Sequence, residues 1–465
     1  MVNRGWIIAS VCLTIGCLGL NFLSSFFVYG QDHAQRPILG VLLFYSLCWM
    51  GLVLAIWQIQ SGQLASVGKI VVVALVARVL LLPSNLILEN DVYRYVLDGQ
   101  NLLHSQNPYQ LSPQQIRNDP THPLKAQLDH SLSVQVLERT SYPEISTVYP
   151  PVAQVVFAVG ALLTGWDWRG QRYILFLVDL AVIGLLLVLL KRLQVFPGYV
   201  IMYAWNPLVL KEVTNSAHID VVVCLFLVLL ILSAISFKAW KLTAVTTGFF
   251  LGLATLSKIY PIILAPIFFT WLYRRFQSSR PPLVAAATLI LSLVLGYLPF
   301  WGNDVSRVFE GLYIYGFQWT MNEGVFGILA QCTDYPRLIT YAGLGVISIF
   351  CGWGLKAEEP ICLVGAMQVV LLAWLLLMPA VFPWYALSLT ALACLNPRSF
   401  LSKTTVIITL VICLYYMAFY VRYHASPAYI WALIRLFEHG SVWATLVATF
   451  YLERRRVSAV QWPFS

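Results

Sequence analysis

Long apolar runs, separated by short polar or Pro-containing segments, recur along most of the chain. A membrane-spanning helix needs about 20 mostly apolar residues, and runs near that length predict about 13 to 14 spanning helices. The pattern therefore predicts an all-α, polytopic membrane protein. The predicted helices lie near 6–28, 38–57, 67–83, 172–190, 198–211, 218–237, 242–257, 259–273, 283–299, 337–353, 361–378, 382–396, 403–421 and 429–452.

Composition indicates the same class. Of the 465 residues, 59% are hydrophobic and only 11% are charged, whereas soluble globular chains carry about 25% charged residues. The apolar residues must therefore face lipid as well as each other, and the bilayer is an expected partner. The Lys and Arg residues stand in short clusters at the ends of apolar runs. Because they form no helix face or patch, we expect no nucleic-acid partner.

The basic clusters also predict an orientation, since cytoplasmic links are enriched in Lys and Arg. With a cytoplasmic N-terminus, the clusters from Lys69 to Arg454-Arg455-Arg456 all fall inside, and both termini are cytoplasmic. This requires that the apolar stretch 151–166 does not cross the membrane, so we expect it to be an interfacial helix on the outer leaflet. The predicted localisation is an integral, multi-pass membrane protein, in the plasma (inner) membrane if the source is bacterial.

This topology makes the chain a single membrane-embedded domain, 1–465, with two substantial segments outside the membrane. These are 84–171, a long first outer loop with juxtamembrane helices, and a second outer loop at 300–336. Most of the acidic residues fall on the same outer (periplasmic) side. Transporters tend to place their important charges within the bilayer, whereas here the acidic residues concentrate on one predicted side of the membrane. The distribution favours a reaction site on the outer face.

The first outer loop begins with Glu89-Asn90-Asp91 and continues with helical spacing through Tyr93, Arg94, Asp98 and Gly99. Asn90 or Asp91 would be a good helix N-cap, and this structural interpretation stays open. Two carboxylates at the membrane boundary nevertheless exceed what a cap needs. Partial desolvation raises a carboxyl pKa toward that of a useful general base. Such a base would take the proton of an acceptor hydroxyl in glycosyl transfer.

Three further groups combine polar or aromatic side chains with span ends. Asn215, His218 and Asp220 stand where a hairpin opens outward; they are either satisfied core residues or groups that bind sugar hydroxyls. Lys258 lies between two apolar helices and needs an anion, either an acid of this protein or a lipid phosphate. Trp384 and Tyr385 are either interfacial belt residues or the lining of a channel for an isoprenoid tail or a sugar.

Several common signatures are missing from the sequence. There is no GxxxxGK[ST] phosphate loop and no HExxH motif, and no soluble domain is predicted on the inner side to hold a nucleotide sugar. An activated donor would therefore arrive in the membrane on a lipid.

In their order along the chain, seven motifs resemble those of the C-type (GT-C) glycosyltransferase superfamily, above all the bacterial polyprenol-phosphate-mannose-dependent α-mannosyltransferases. They span most of the sequence: Asp91-Val92-Tyr93-Arg94-Tyr95-Val96-Leu97-Asp98-Gly99, Asn107-Pro108-Tyr109, Tyr149-Pro150-Pro151, Trp205-Asn206-Pro207, His218-Ile219-Asp220, Ser257-Lys258-Ile259-Tyr260-Pro261 and Pro383-Trp384-Tyr385. A more distant likeness is to the GPI-anchor mannosyltransferase catalytic subunit. The chain departs from these families in its two spans before residue 58 and in a Glu-Asn-Asp sequence where distant relatives carry two Asp residues.

The resemblance implies a GT-C-like fold and an enzyme that moves a sugar, mannose in these relatives, from a polyprenyl-phosphate donor to a hydroxyl of a cell-envelope glycan or glycolipid acceptor. It implies Asp91 as the catalytic base, Glu89 as the second member of the acidic pair, and Lys258 near the donor phosphate. Arg94 and Arg172 are further candidate phosphate-binding cations. The candidate sugar- or acceptor-binding residues are His218, Asp220, Asn215, Asp98, Tyr93, Trp384 and Tyr385.

The expected mechanism is an inverting single displacement that requires no cofactor; a divalent metal between Glu89 and Asp91 is allowed but not needed. The alternative function is a transporter or flippase of a lipid-linked glycan. Neither an inverted repeat nor a pair of mid-bilayer broken helices is apparent in the sequence, and this disfavours transport.

Overall fold

A computed structural model gives the structure of residues 4–30, 32–124, 131–302, 304–356 and 359–458, without the side chains of 428 and 454–458. Within these ranges the chain forms helices and loops, with no β-strand and an isolated bridge between Met321 and Ala380. The predicted all-α class is confirmed. The basic cluster at 454–456 predicts a cytoplasmic C-terminus. Its side chains lie outside the described part of the chain.

Three long helices precede the 84–171 segment, which itself contains four shorter ones. Their bounds are α1 Arg4–Ser24, α2 Ile38–Gln60, α3 Val67–Leu81, α4 Asp91–Leu103, α5 Pro113–Asn118, α6 Ser131–Arg139 and α7 Pro151–Thr164. Helix α7 is the stretch predicted to lie at the interface, and the side chains of Val155, Leu162 and Leu163 are exposed along it. An exposed apolar face of this kind suits contact with lipid.

The rest of the chain contains fifteen further α-helices in the described part. They are α8 Arg169–Arg192, α9 Ile201–Ala204, α10 Pro207–Val209, α11 Asp220–Ser236, α12 Trp240–Ser257, α13 Ala265–Phe276, α14 Arg280–Tyr297, α15 Ser306–Gln318, α16 Val325–Cys332, α17 Pro336–Trp353, α18 Pro360–Leu377, α19 Leu387–Leu395, α20 Phe400–Val411, α21 Met417–Tyr423 and α22 Ala428–Ser458. Helices α15 and α16 lie within 300–336, the segment that the sequence predicts to be the second outer loop.

Six described helical segments are long and apolar enough to cross a membrane on their own. They are Arg4–Ser24, His33–Gln60, Arg169–Arg192, Arg280–Phe300, Pro360–Leu377 and Phe400–Tyr423. A seventh candidate consists of Pro207–Asn215 and Asp220–Ser236, which meet at a bend of 119°. The chain is therefore a multi-pass membrane protein. The figure of about 13 to 14 spans stays a prediction for the shorter or less apolar segments.

Four helices predicted as continuous are interrupted. Pro261 and Pro383 each stand in a short 3₁₀ segment, Tyr260–Leu264 and Pro383–Ala386, that precedes an α-helix. The prediction 403–421 is divided by a 3₁₀ segment at Ile412–Tyr416. The prediction 198–211 becomes α9 and α10, followed by a π-helix at Leu210–Asn215. Proline lacks the N–H of an interior helical hydrogen bond, and π segments concentrate at functional sites.

Close packing of α4 against α7 fixes the position of the first acidic motif. A Cβ at Gly99 would collide with the backbone carbonyl of Phe157 on α7, so only glycine permits this approach. The Tyr95 and Phe157 rings stack with their centroids 4.2 Å apart. A second contact joins α3 to α8: the buried Arg78 guanidinium pairs with Asp179 at 2.6 Å and donates to the Ala204 carbonyl. These contacts hold α3, α4, α7 and α8 together beside the site.

Candidate active site

A cavity of about 1200 Å³ opens where the start of α4 meets the ends of several other helices. Seven of the twelve candidate residues from the sequence line it: Glu89, Asp91, Tyr93, Arg94, Lys258, Trp384 and Tyr385. The tertiary structure thus brings together motifs separated by nearly three hundred residues. The other five candidates, Asp98, Arg172, Asn215, His218 and Asp220, lie outside the cavity lining.

Asp91 is the first residue of α4, and its carboxylate is partly exposed to the cavity. The Tyr149 hydroxyl donates to its Oδ2 atom at 3.2 Å. Burial raises the pKa of Asp91, whereas the charge of Lys258, the Tyr149 hydrogen bond and the charge of Arg94 lower it. The result is a carboxylate more basic than a solvated one but still held beside a cation, the condition that suits a general base.

Glu89 precedes the helix and is 9% exposed. Its Oε1 atom has no hydrogen-bond partner within the described structure. Burial raises the pKa of Glu89 well above its ordinary value, with Lys211 opposing the shift and Asp91 adding to it. Glu89 therefore favours the protonated form more strongly than a solvated Glu, so of the two carboxyl groups Asp91 is the better placed to accept a proton.

The predicted N-cap position is confirmed for Asn90 and not for Asp91, which is the first residue of the helix. Asn90 occupies the cap position but makes no capping hydrogen bond. Its amide instead donates to the Arg139 carbonyl and accepts from the Ser141 hydroxyl, each at 2.9 Å. The polar side chain is used to tie the 139–145 segment to the start of α4, and Asp91 is left to face the cavity.

The Arg94 side chain also joins the 139–145 segment to α4. Its Nη2 atom donates to the carbonyls of Ser141, Tyr142 and Ile145 at 2.9 to 3.3 Å. These contacts use one of the three guanidinium nitrogens and join Arg94 to the 141–145 segment of the cavity wall.

Arg172 lies away from the cavity, contrary to its expected place at a donor phosphate. The side chain is 1% exposed, and Nη1 donates to the carbonyls of Leu82 and Ser84 at 2.8 and 2.6 Å. The Asn215 amide donates to the Ser84 hydroxyl at 2.8 Å, and its Oδ1 accepts from the Ile87 backbone. Both side chains shape the segment that leads into Glu89 and Asp91.

Asp98 lies two turns below Asp91 and is 2% exposed. The Gln154 amide on α7 donates to it at 3.4 Å. Burial raises the pKa of Asp98 to about 6, against the lowering effects of Arg94, Thr147 and Gln154. The carboxyl group therefore belongs to the α4–α7 contact and not to the cavity.

Lys258 resolves an alternative left open by the sequence, because an acid of the chain is its partner. Nζ donates to both carboxylate oxygens of Asp220 at 2.8 Å each, and it lies 4.5 Å from the centre of the Tyr385 ring. Asp220 is buried at the start of α11, whereas the Lys258 side chain retains 16% exposure toward the cavity. The Lys258 ammonium group therefore faces the cavity, and the Asp220 carboxylate is buried behind it.

A buried polar network lies beneath the cavity, on and after the π-helix. Glu212 accepts a hydrogen bond from the Tyr416 hydroxyl at 2.7 Å and lies 3.4 Å from Lys211 Nζ. His218 Nε2 is 3.3 Å from Glu212, and the His218 ring stacks on Trp384 at 3.8 Å. Since Trp384 lines the cavity and His218 does not, His218 acts as the platform beneath that tryptophan.

One part of the cavity, here called the apolar arm, is lined by aliphatic and aromatic side chains beyond Lys258. It comprises Ile259, Ile262, Ile263, Tyr341, Leu344 and Trp374. The Ile259 side chain is 41% exposed directly next to Lys258. An apolar groove that begins at a cation suits an amphiphile with an anionic head.

The opposite part, here called the cationic rim, is lined by Arg36, Arg139 and Arg422. Arg139 donates to the Tyr93 hydroxyl at 2.8 Å and lies 4.4 Å from the centre of the Tyr29 ring. Tyr142 lies between the rim and the acids: burial raises its pKa, the charges of Asp91 and Glu89 add to this, and Arg422 opposes it. The rim, the apolar arm and Asp91 therefore line one cavity.

Sequence reasoning missed Tyr149 and the rim. Tyr149-Pro150-Pro151 is one of the motifs of the family resemblance, but no local pattern reveals that the Tyr149 hydroxyl reaches Asp91 across 58 residues. The rim arginines come from three distant segments that only the fold assembles. Within the described residues, no group of three or more His, Cys, Asp or Glu is arranged to hold a metal ion.

The fold and the cavity together define a multi-pass, all-α membrane protein with a carboxylate-bearing cavity. No protein-family model matches the chain, and a comparison with curated proteins finds no match. Among solved structures, the crystal structure of ArnT from Cupriavidus metallidurans bound to undecaprenyl phosphate is similar, with a TM-score of 0.45 and 15% identity over 83% of this chain and 76% of that chain. Because this likeness is low on both measures, the proposals below rest on the side chains of the cavity instead.

Proposed function

We propose that the protein is a GT-C-like membrane glycosyltransferase that moves a sugar from a polyprenyl-phosphate donor to an acceptor hydroxyl. By the sequence resemblance the sugar is mannose, the acceptor a glycan or glycolipid, and the working face the non-cytoplasmic one. The observation that carries the proposal is the position of Asp91. Its carboxylate faces a cavity of about 1200 Å³, hydrogen-bonded to Tyr149 and within the field of Lys258.

Asp91 acts as the general base. Its carboxylate takes the proton of the acceptor hydroxyl while the acceptor oxygen forms a bond to the anomeric carbon. The bond from that carbon to the phosphate oxygen breaks, and the electron pair leaves with polyprenyl phosphate. A single displacement inverts the anomeric centre, so a β-linked donor gives an α-glycoside. A positioned base contributes about 10²- to 10⁴-fold to the rate of such a step.

Lys258 stabilises the leaving phosphate. Two of its contacts are with Asp220, and an ammonium group has three donors, which leaves one for a phosphate oxygen. Asp220 fixes the ammonium position before the reaction, and preorganised charge of this kind is a major source of rate acceleration. The isoprenoid tail then lies along the apolar arm, which starts at Ile259 beside the cation.

Trp384 and Tyr385 form the side of the cavity next to Lys258 and provide aromatic surface for the sugar. His218 supports Trp384 from below at a ring separation of 3.8 Å, and Tyr385 contacts both Lys258 and the Tyr315 hydroxyl. His218 and Asp220 therefore take part as positioning residues, not as direct sugar ligands.

The test uses the purified, full-length protein with radiolabelled polyprenyl-phosphate mannose and a panel of glycolipid acceptors. We expect transfer by the native protein, loss of transfer in Asp91→Ala, and normal transfer in Asp119→Ala. Asp119 is a matched control because it is a partly exposed outer-loop carboxylate that does not line the cavity. Full transfer by Asp91→Ala would exclude Asp91 as the base.

The transporter alternative is separated in the same preparation. The bent α10–α11 region is a broken helix of a kind that transporters use, so movement of the labelled lipid across liposomes is measured beside transfer. Movement without any transfer to an acceptor or to water would replace the enzyme proposal with the transporter one.

A further inference from the structure

The three arginines of the cationic rim have no ion-pair partner. Seven ion pairs occur among the described residues, and none includes Arg36, Arg139 or Arg422. The Nε atoms of Arg36 and Arg139 are buried and have no hydrogen-bond acceptor in the described structure. Arg36 and Arg139 are half-buried, whereas Arg422 is exposed. A partly desolvated charge without a partner is costly, so Arg36 and Arg139 are suited to be completed by a ligand.

Two other cations of the cavity are ion-paired: Lys258 binds Asp220, and Arg169 binds Asp167 at 3.1 Å. A third, Arg94, has no ion pair but donates to three backbone carbonyls. Among the described cations of the cavity lining, a buried Nε atom without an acceptor is therefore found at the rim. The rim arginines come from three segments, the α1–α2 linker, the end of α6 and α21.

Aromatic rings contact two of these arginines, Arg36 and Arg139, in the cavity wall. The Arg36 guanidinium lies 5.8 Å from the Phe27 ring centre and 5.9 Å from that of Tyr423, and Tyr423 stacks on His33 at 4.7 Å. Stacking on rings leaves the edges of a guanidinium free, and those edges carry the donors that match a carboxylate or phosphate bidentately. The rim is therefore arranged to bind an oxyanion.

We propose that the acceptor carries an anionic group, a phosphate or a carboxylate, which binds Arg36, Arg139 and Arg422 and thereby places the acceptor hydroxyl at Asp91. This inference rests on the proposed glycosyltransferase function and specifies its second substrate.

The rim is assigned to the acceptor because the donor phosphate already has a place at Lys258, where the apolar arm begins. Arg139 approaches α4 from the opposite segment and binds the Tyr93 hydroxyl at 2.8 Å, two residues beyond Asp91. Arg139 therefore connects the rim to α4, the helix that begins with Asp91. An acceptor bound at the rim shares the cavity with the base and with a donor whose phosphate is bound at Lys258.

The experiment uses acceptors that differ in one charged group. Full-length protein in phosphatidylcholine liposomes receives radiolabelled polyprenyl-phosphate mannose with glucuronosyldiacylglycerol, its neutral analogue glucosyldiacylglycerol, or phosphatidylinositol. We expect transfer to the carboxylate or phosphate lipid at a KM about tenfold below that for the neutral analogue, since charge-assisted bidentate contacts are stronger than neutral hydrogen bonds. The two anionic lipids show which oxyanion the rim prefers.

Variants connect this preference to the rim. Arg36→Gln, Arg139→Gln and Arg422→Gln should each raise the KM of the anionic acceptor about tenfold and leave the KM of the donor unchanged. Arg307→Gln is the matched control, because Arg307 is an outer-loop cation outside the cavity lining. Donor hydrolysis, which needs no acceptor, reports whether each variant is folded and binds the donor.

Equal KM values for the charged and neutral glycolipids, with donor consumed, would overturn the anionic-acceptor proposal and leave the glycosyltransferase proposal standing. Unchanged acceptor KM values in all three rim variants would overturn it as well. Failure to consume the donor with any acceptor or with water would instead overturn the glycosyltransferase proposal itself.

Discussion

Lys258 Nζ donates to both carboxylate oxygens of Asp220 at 2.8 Å each. The two residues are 38 positions apart and stand at the ends of α12 and α11, where each helix meets the cavity floor. Asp220 is buried, whereas Lys258 is partly exposed to the cavity. The pair therefore combines a stabilising buried contact with a cation that a ligand in the cavity can reach.

Lys258→Met should reduce both stability and transfer. It leaves the Asp220 carboxylate buried without a cation, which costs about 3–5 kcal/mol, and it removes the charge opposite the donor phosphate. The double variant Lys258→Met/Asp220→Asn should regain much of the stability but not the activity. Thermal unfolding in detergent and the transfer rate measure the two effects.

Lys241→Met is the control for this pair, since Lys241 lies outside the cavity and has only a distant ring contact with Trp240 at 5.8 Å. Recovery of both stability and transfer in the double variant would reduce Lys258 to a structural residue.

The two acidic residues at the loop start should differ in importance. Asp91→Asn removes the base and should lower kcat by about 10²- to 10⁴-fold, whereas Glu89→Gln keeps a side chain that is already disposed to be neutral. Single-turnover transfer compares the variants at saturating donor. A larger loss in Glu89→Gln than in Asp91→Asn would move the base assignment to Glu89.

The pH profile of kcat/KM should have an acid limb above the ordinary Asp pKa of about 3.9. The base works when deprotonated and burial raises the pKa of Asp91, so activity is present above that pKa and falls as pH falls through it. Tyr149→Phe removes a hydrogen bond that lowers the Asp91 pKa and should therefore shift the limb to higher pH.

Two variants control the pH experiment. Tyr173→Phe changes an exposed tyrosine of α8 and should leave the profile in place. Asp98→Asn tests the other titrating group of α4, whose pKa is raised to about 6 by burial. A limb that disappears in Asp98→Asn would belong to Asp98 and not to Asp91.

Gly99→Ala should separate α4 from α7. The added Cβ meets the Phe157 carbonyl, and overpacking of this kind costs about 1–3 kcal/mol. Because α4 carries Asp91, transfer should fall together with the unfolding temperature. Gly68→Ala is the matched control: it is also helical, has nothing within 4 Å of the new Cβ, and should leave both quantities unchanged or slightly raise stability. An unaltered unfolding temperature in Gly99→Ala would contradict this account of the helix contact.

Much of the helical layout was predictable, because long apolar runs in a chain with only 11% charged residues have few other solutions. The predictions were wrong where a proline or a π segment interrupts the helix, as at Pro261, Pro383 and Leu210–Asn215. Apolar character alone does not distinguish a straight helix from a broken one. The helices α15 and α16 were missed because short polar-flanked helices have no strong period.

The sequence by itself determined the class of the protein and indicated the acidic motif proposed to carry the chemistry, since hydropathy and an acidic pair at a span end are local properties. It could not determine which of its polar residues face the cavity. His218, Asp220, Asn215 and Arg172 have side chains that suit a ligand, but partners from distant segments hold them outside the cavity lining. Arg36, Arg139 and Arg422 gave no local signal, yet the fold brings them to the same cavity as Asp91 without an ion-pair partner in the described structure. Whether a charge is paired depends on contacts between segments far apart in the chain, and only the tertiary structure decided that.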